Sequence, residues 1–202
     1  PSPDALGTAQ LSDAFSTDGC ENTVATTELR ACTWGEGTRQ VMVIGDSVAM
    51  AWWPTITAAL DPGEDSVTLI PISSCSPFDV RHGADWGDPA FADDCAAARG
   101  RVERQVRDVK PALVIVSSAV GGYRLTPEPA EDAWERGART AVERLRGWSD
   151  DVVVLSHPPL GADPRDCLTR FATNADCTSS IPGWETDQIA AESRGVIAGG
   201  GR

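Results

Sequence analysis

Short, continuous apolar runs punctuate this chain at regular intervals, and helix-patterned segments fill the gaps between them. The runs are Val41-Met42-Val43-Ile44, Val67 to Ile72, Ala112 to Val116 and Val152 to Leu155. Runs this short, without polar alternation, suit strands covered on both faces. Residues 48–60 read as a helix, in which Pro54 is expected to force a kink or a fresh start. Phe91, Cys95, Ala98, Val102, Val106 and Val109 recur at steps of three and four, the mark of an amphipathic helix. Asp88 and Pro89 offer its start. Thr126 and Pro127 offer the cap and first position of another helix, with Trp134, Ala138, Ala141, Leu145 and Trp148 on one face. A weaker helix over residues 184–194, closed by Gly195, should follow, and Val196-Ile197-Ala198 should begin a fifth strand. Strict alternation of strand and helix implies a parallel sheet with helices on both faces. The expected fold is α/β, a three-layer α/β/α sandwich with a flavodoxin-like sheet.

Residues 1–38 lack this pattern and are rich in Pro, Ser, Thr, Asp and Gly. They read as an irregular arm packed on one domain that spans residues 39–202. The chain opens at Pro1 without Met or a signal peptide and reads as a piece of something longer. No stretch approaches 18 apolar residues, so no membrane-spanning helix is expected.

Six cysteines, Cys20, Cys32, Cys75, Cys95, Cys167 and Cys177, form no Cys-x-x-Cys, and there are two histidines, which disfavours a zinc site. Six cysteines allow 15 connectivities, and sequence alone does not choose among them. Sequential pairing is the reading adopted, because each pair then closes a polar loop. Disulfides imply an oxidising space outside the cytoplasm. The net charge of −13 argues against a general nucleic-acid binder, which needs Lys and Arg to neutralise phosphates.

Ligands of open parallel sheets gather at the carboxyl ends of the strands. The first run ends in Gly45-Asp46-Ser47, with Ser47 at the start of the next helix. The free N–H groups there favour developing negative charge. A serine in that place is positioned to attack a carbonyl, with its own amide helping to hold the oxyanion. The same residues also read as an ordinary Asp/Ser helix cap. Trp52 and Trp53 adjoin the serine as candidate pocket lining, although adjacent helix residues face different ways and at least one should be core. Tyr123 and Arg124 follow the third run, and Arg124 is a candidate for an anionic substrate group. Arg99, Arg101, Arg104 and Arg107 read as an outward helix face paired with acids.

Residues 41–48, Val-Met-Val-Ile-Gly-Asp-Ser-Val, resemble block one of the SGNH/GDSL hydrolase superfamily. Ala49-Met50-Ala51-Trp52-Trp53-Pro54 narrows the resemblance to SGNH domains fused behind bacterial membrane acyltransferase bundles. Ser74-Cys75-Ser76-Pro77, the cysteine arm and Pro164-Arg165-Asp166-Cys167-Leu168 are also similar to that group. The resemblance implies Ser47 as acyl-accepting nucleophile and Asp46 as support for the turn. It places oxyanion amides at Ser47, Ser74 and Gly121, although the third block shows Ser117 to Tyr123 without the usual Asn. It implies an extracytoplasmic O-acyltransferase or esterase domain, membrane-tethered in the full protein. The acceptor would be a surface glycan or glycolipid, and a membrane acyltransferase domain would deliver the acyl group. No cofactor or metal is implied.

The same resemblance calls for Asp-x-x-His after the fifth strand, and this sequence has none there. The domain is therefore expected to lack its last strand and helix, and with them the base. His157, with Asp163 or Asp166 to orient it, is the substitute by position; a loop histidine beside two prolines is the plainer reading. His82 lies in a polar loop. The rival expectation is an inactive SGNH fragment or pseudoenzyme that binds glycan without turnover.

Overall fold

The computed structural model describes residues 19–83, 90–119, 124–125, 130–158 and 178–202. Its main sheet contains β1 (Cys32–Trp34), β2 (Arg39–Gly45), β3 (Asp65–Pro71), β5 (Leu113–Ser117) and β7 (Asp151–Leu155), in the order β1-β3-β2-β5-β7. β2 is central and pairs in parallel with β3 and β5, while β5 pairs in parallel with β7. Two-residue strands β4 (His82–Gly83) and β6 (Arg124–Leu125) pair apart from it. The helices among the described residues are α1 (Ser47–Ala59), α2 (Phe91–Val109), α3 (Ala130–Arg146) and α4 (Gly183–Ala198).

The apolar runs are buried on both faces, as their lack of alternation requires. Val41, Val43 and Ile115 pack on one side against Ala49, Met50 and Ile56 of α1. Met42, Ile44, Val114 and Val116 pack on the other against Val102, Val106, Trp134 and Leu145 of α2 and α3. Trp134 is fully buried and meets Phe78 edge-to-face, with ring centroids 5.6 Å apart. The result is a three-layer α/β/α fold. Pro54 lies inside an unbroken α1.

The structure corrects three readings. Val196, Ile197 and Ala198 are the last turn of α4 and begin no strand. The helix runs through Gly195 because that glycine serves a close approach: a Cβ there would overlap the Glu135 carbonyl oxygen of α3. Backbone pairing with β7 comes later, where the Arg202 amide donates to Val152 (3.1 Å) and its carbonyl accepts from Val154 (2.8 Å). Within the arm, β1 joins the edge of β3 antiparallel, and Asn22 bridges to Ile72. Asn22 is buried and its amide donates to the carbonyls of Cys20, Arg30 and Pro71. Finally, Arg99 does not face outward. It is 9% exposed, pairs with Asp79 (3.2 Å) and donates to the Ser76 carbonyl (3.4 Å).

Disulfides join Cys20 to Cys32 and Cys75 to Cys95, as sequential pairing requires. Cys167 and Cys177 lie outside the described residues, as do Asp88, Pro89, Thr126 and Pro127.

Candidate active site

The central strand ends at Gly45, where a Cβ would overlap the Ser117 carbonyl oxygen, so the chain can turn tightly only with glycine. Asp46 follows, fully buried, as the N-cap of α1. One carboxylate oxygen accepts from the Val48 amide (2.8 Å). The other accepts from the Ala119 amide (2.8 Å) and the Ser118 hydroxyl (3.1 Å) beyond β5. Ser118 also lies 3.2 Å from the Ser76 hydroxyl, after β3. One carboxylate therefore ties together the loops that leave three neighbouring strands. Ser47, the first residue of α1, is exposed beside it. This exposure disfavours a purely structural role for the hydroxyl.

The backbone amides here divide into claimed and unclaimed. Val48 is bound by the Asp46 side chain, and Ala49 and Met50 donate to its carbonyl. Ser73 donates to Asn22 and Cys75 to Ile72. Among the described residues, nothing accepts from the amides of Ser47 or Ser74. Ser74 holds φ at +60°, a left-handed conformation that costs a non-glycine residue about 1–2 kcal/mol. The Ser47 and Ser74 amides are thus available to a developing oxyanion. The Ala119 amide is not, because Asp46 already takes it.

A protein-family model for SGNH domains fused to AT3 domains matches residues 18–198. The chain belongs to this SGNH family. Among solved structures it is similar to the periplasmic domain of a lipopolysaccharide acetyltransferase from Salmonella ser. Paratyphi A. Identity is 16%, with a TM-score of 0.59 over 96% of this chain and 70% of that one. At that identity the likeness is one of fold. Comparison with curated proteins finds no match.

Other expected site residues of the SGNH domain scatter. Trp52 and Trp53 are both partly buried and pack against the α1 side of the sheet. Arg124 sits in β6, paired with Gly83. Gly121, Tyr123, Asp163 and Asp166 lie outside the described residues. A cavity of about 20 Å³ runs under Gly45, bounded by Ile44, Ile70, Ser76 and Arg99. It has room for a single water, not an acyl group.

His157 follows β7 and is 12% exposed, with Nδ1 3.8 Å from Oε1 of Glu185. Glu185 is fully buried in the first turn of α4. Two turns further, Glu192 is 1% exposed and accepts from Ser156 (2.7 Å) and from the Trp134 indole (3.3 Å). Burial pushes its carboxyl above the ordinary glutamate range, and those two hydrogen bonds pull back. Sequence reasoning missed both glutamates. The one available signal was their spacing with Gln188, which puts three polar residues on one helical face, a pattern that ordinarily faces water.

Proposed function

We propose that this SGNH domain is an extracytoplasmic serine O-acyltransferase or esterase domain acting on acyl groups of surface glycans or glycolipids. The observation that carries the reading is Ser47: an exposed residue at a helix N-terminus just beyond the central strand, with the amides of Ser47 and Ser74 unclaimed among the described residues. Ser47 would add to an ester carbonyl, the amides of Ser47 and Ser74 would hold the oxyanion, and a sugar hydroxyl or water would take the acyl group. Asp46 would keep the turn in place without touching the reacting atoms. The family's fusion to AT3 domains supports a membrane partner as the acyl source. Two disulfides support an oxidising compartment.

The test is labelling by a fluorophosphonate probe, with the modified residue located by peptide mass spectrometry. Labelling at Ser47, abolished in Ser47→Ala, is the expected result. The rival, glycan binding without turnover, draws on one observation: among the described residues no side chain hydrogen-bonds the Ser47 hydroxyl. A folded chain that binds glycan but never labels would establish that rival instead.

A further inference from the structure

Ser74 holds a backbone conformation that needs outside support. A non-glycine residue keeps a φ of +60° only where its surroundings fix it. Part of that support comes after it in the chain. The Cys75 amide donates to the Ile72 carbonyl (3.2 Å), and the disulfide to Cys95 fastens the turn to α2. Arg99, also on α2, donates to the Ser76 carbonyl (3.4 Å). The support before Ser74 comes from the arm ahead of the sheet, which the proposed reaction leaves unused.

Asn22 supplies most of it. Its carbonyl accepts from the Ser73 amide (2.8 Å), and its buried Nδ2 lies 3.0 Å from the Pro71 carbonyl at the end of β3. Between these two, the Ile72 amide points the other way, to the Gly45 carbonyl of β2 (2.8 Å). The segment that presents the Ser74 amide is thus clamped between the strand that leads to Ser47 and the arm that carries Asn22. Next to Asn22, Glu21 accepts from the Ser73 hydroxyl (2.5 Å). Asn22 is itself held firmly. Its Oδ1 accepts from the Arg30 amide (2.9 Å), and the Cys20–Cys32 disulfide closes the arm around it. From the far side, Arg101 of α2 donates to the Val24 carbonyl (2.7 Å).

We propose that Asn22 is a positioning residue for the Ser74 amide, which makes the arm a working part of the Ser47 site. The inference rests on the acyl-transfer reading above, in which that amide is an oxyanion donor. Asn22 touches no reacting atom. It fixes Ser73, and the Ser74 N–H shares a rigid peptide plane with the Ser73 carbonyl, so the direction of the donor follows. Without the clamp, Ser74 relaxes out of the left-handed region and its amide turns away from the oxyanion. The turn matters because a hydrogen bond weakens steeply as it bends.

The experiment compares the rate of Ser47 labelling by a fluorophosphonate with the rate for its P=S analogue. It uses the wild type, Asn22→Ala, Asn22→Asp and Ser73→Ala, with folding checked by circular dichroism. Sulfur is a weak acceptor, so an N–H donor speeds the oxygen probe far more, and the oxygen-to-sulfur rate ratio reads the donor itself. Asn22→Asp keeps the acceptor for Arg30 and loses the donor to Pro71. The ratio should fall about 10-fold or more in both Asn22 variants, toward the roughly 10²–10³-fold cost of a lost oxyanion donor. Ser73→Ala removes only the exposed bond to Glu21, and its ratio should fall about threefold, the worth of one hydrogen bond. A role in folding alone slows both probes equally and leaves the ratio at its wild-type value. An unchanged ratio in a folded Asn22 variant overturns the inference and leaves the acyl-transfer reading standing. If neither Asn22 variant folds, an unchanged ratio in Ser73→Ala overturns it equally. A wild type that labels at Ser47 with neither probe overturns both the inference and the reading beneath it.

Discussion

Replacing Asp46 with Ala tests whether one buried carboxylate sets the geometry of the site. The side chain caps α1 through Val48, and losing an N-cap costs about 1 kcal/mol. It also accepts from the Ala119 amide and the Ser118 hydroxyl. A buried donor left without an acceptor costs about 1–3 kcal/mol. Ser118 has the Ser76 hydroxyl and the Ala119 carbonyl as fallbacks, so most of that second cost falls on the Ala119 amide. The total is about 3 kcal/mol, or roughly 6–12 °C in Tm for a chain of this length. Asp46→Asn should lose less, because its carbonyl still caps α1 while its amide group faces the Ala119 donor. Urea unfolding with disulfides intact reads both variants, and Ser47 labelling should slow in the same order. A loss under about 1 kcal/mol for Asp46→Ala would refute the claim that Asp46 couples the strand ends.

Glu192→Gln should flatten part of the pH dependence of stability. The folded state holds the Glu192 proton to higher pH than the unfolded chain, so wild-type stability falls as pH rises above about 4.3 toward the folded value. The stability of Glu192→Gln relative to wild type should therefore improve between pH 4 and 7, and a constant difference would contradict this. Serine at both Cys75 and Cys95 should cost about 3 kcal/mol by urea unfolding, since that bridge closes a loop across 20 positions. Ser74→Gly should leave Ser47 labelling unchanged, because the backbone amide is the proposed donor and glycine accepts φ of +60° freely. A tenfold loss in Ser74→Gly would assign the donor to the hydroxyl instead.

The layers of the fold were legible because buried parallel strands leave an uninterrupted apolar signature, seen in Val41–Ile44 and Val152–Leu155 alike. The turn that starts α1 was legible because Gly45 admits the close approach of Ser117 and Asp46 caps the helix that Ser47 begins. Val196–Ala198 misled because three apolar residues carry no period, and Gly195 looked like a stop. Its role depends on Glu135, 60 positions earlier, which no local pattern exposes. β1 was missed for a similar reason: three residues on a sheet edge gain their partner, β3, only through tertiary pairing and the Cys20–Cys32 bridge. Arg99 looked solvated because arginine usually is, yet its partners Asp79 and Ser76 are fixed by other elements.

The polar groups behind the strand ends explain why the third block can lack its asparagine without the site losing its shape. Ser118 and Ala119 stand where that block falls, and both donate to Asp46. Their contribution is to hold the turn, and the Ala119 amide cannot also face a substrate oxyanion. The proposed oxyanion donors are then Ser47 and Ser74, which follow β2 and β3, and the exits of those strands are linked by the Ile72 amide donating to the Gly45 carbonyl (2.8 Å). On the opposite flank, Ser117 donates to the Leu155 carbonyl (2.7 Å), and Ser156 and His157 meet the two buried glutamates of α4. The row of strand ends thus carries the exposed Ser47 on its β2–β3 side and two buried glutamates on its β7–α4 side.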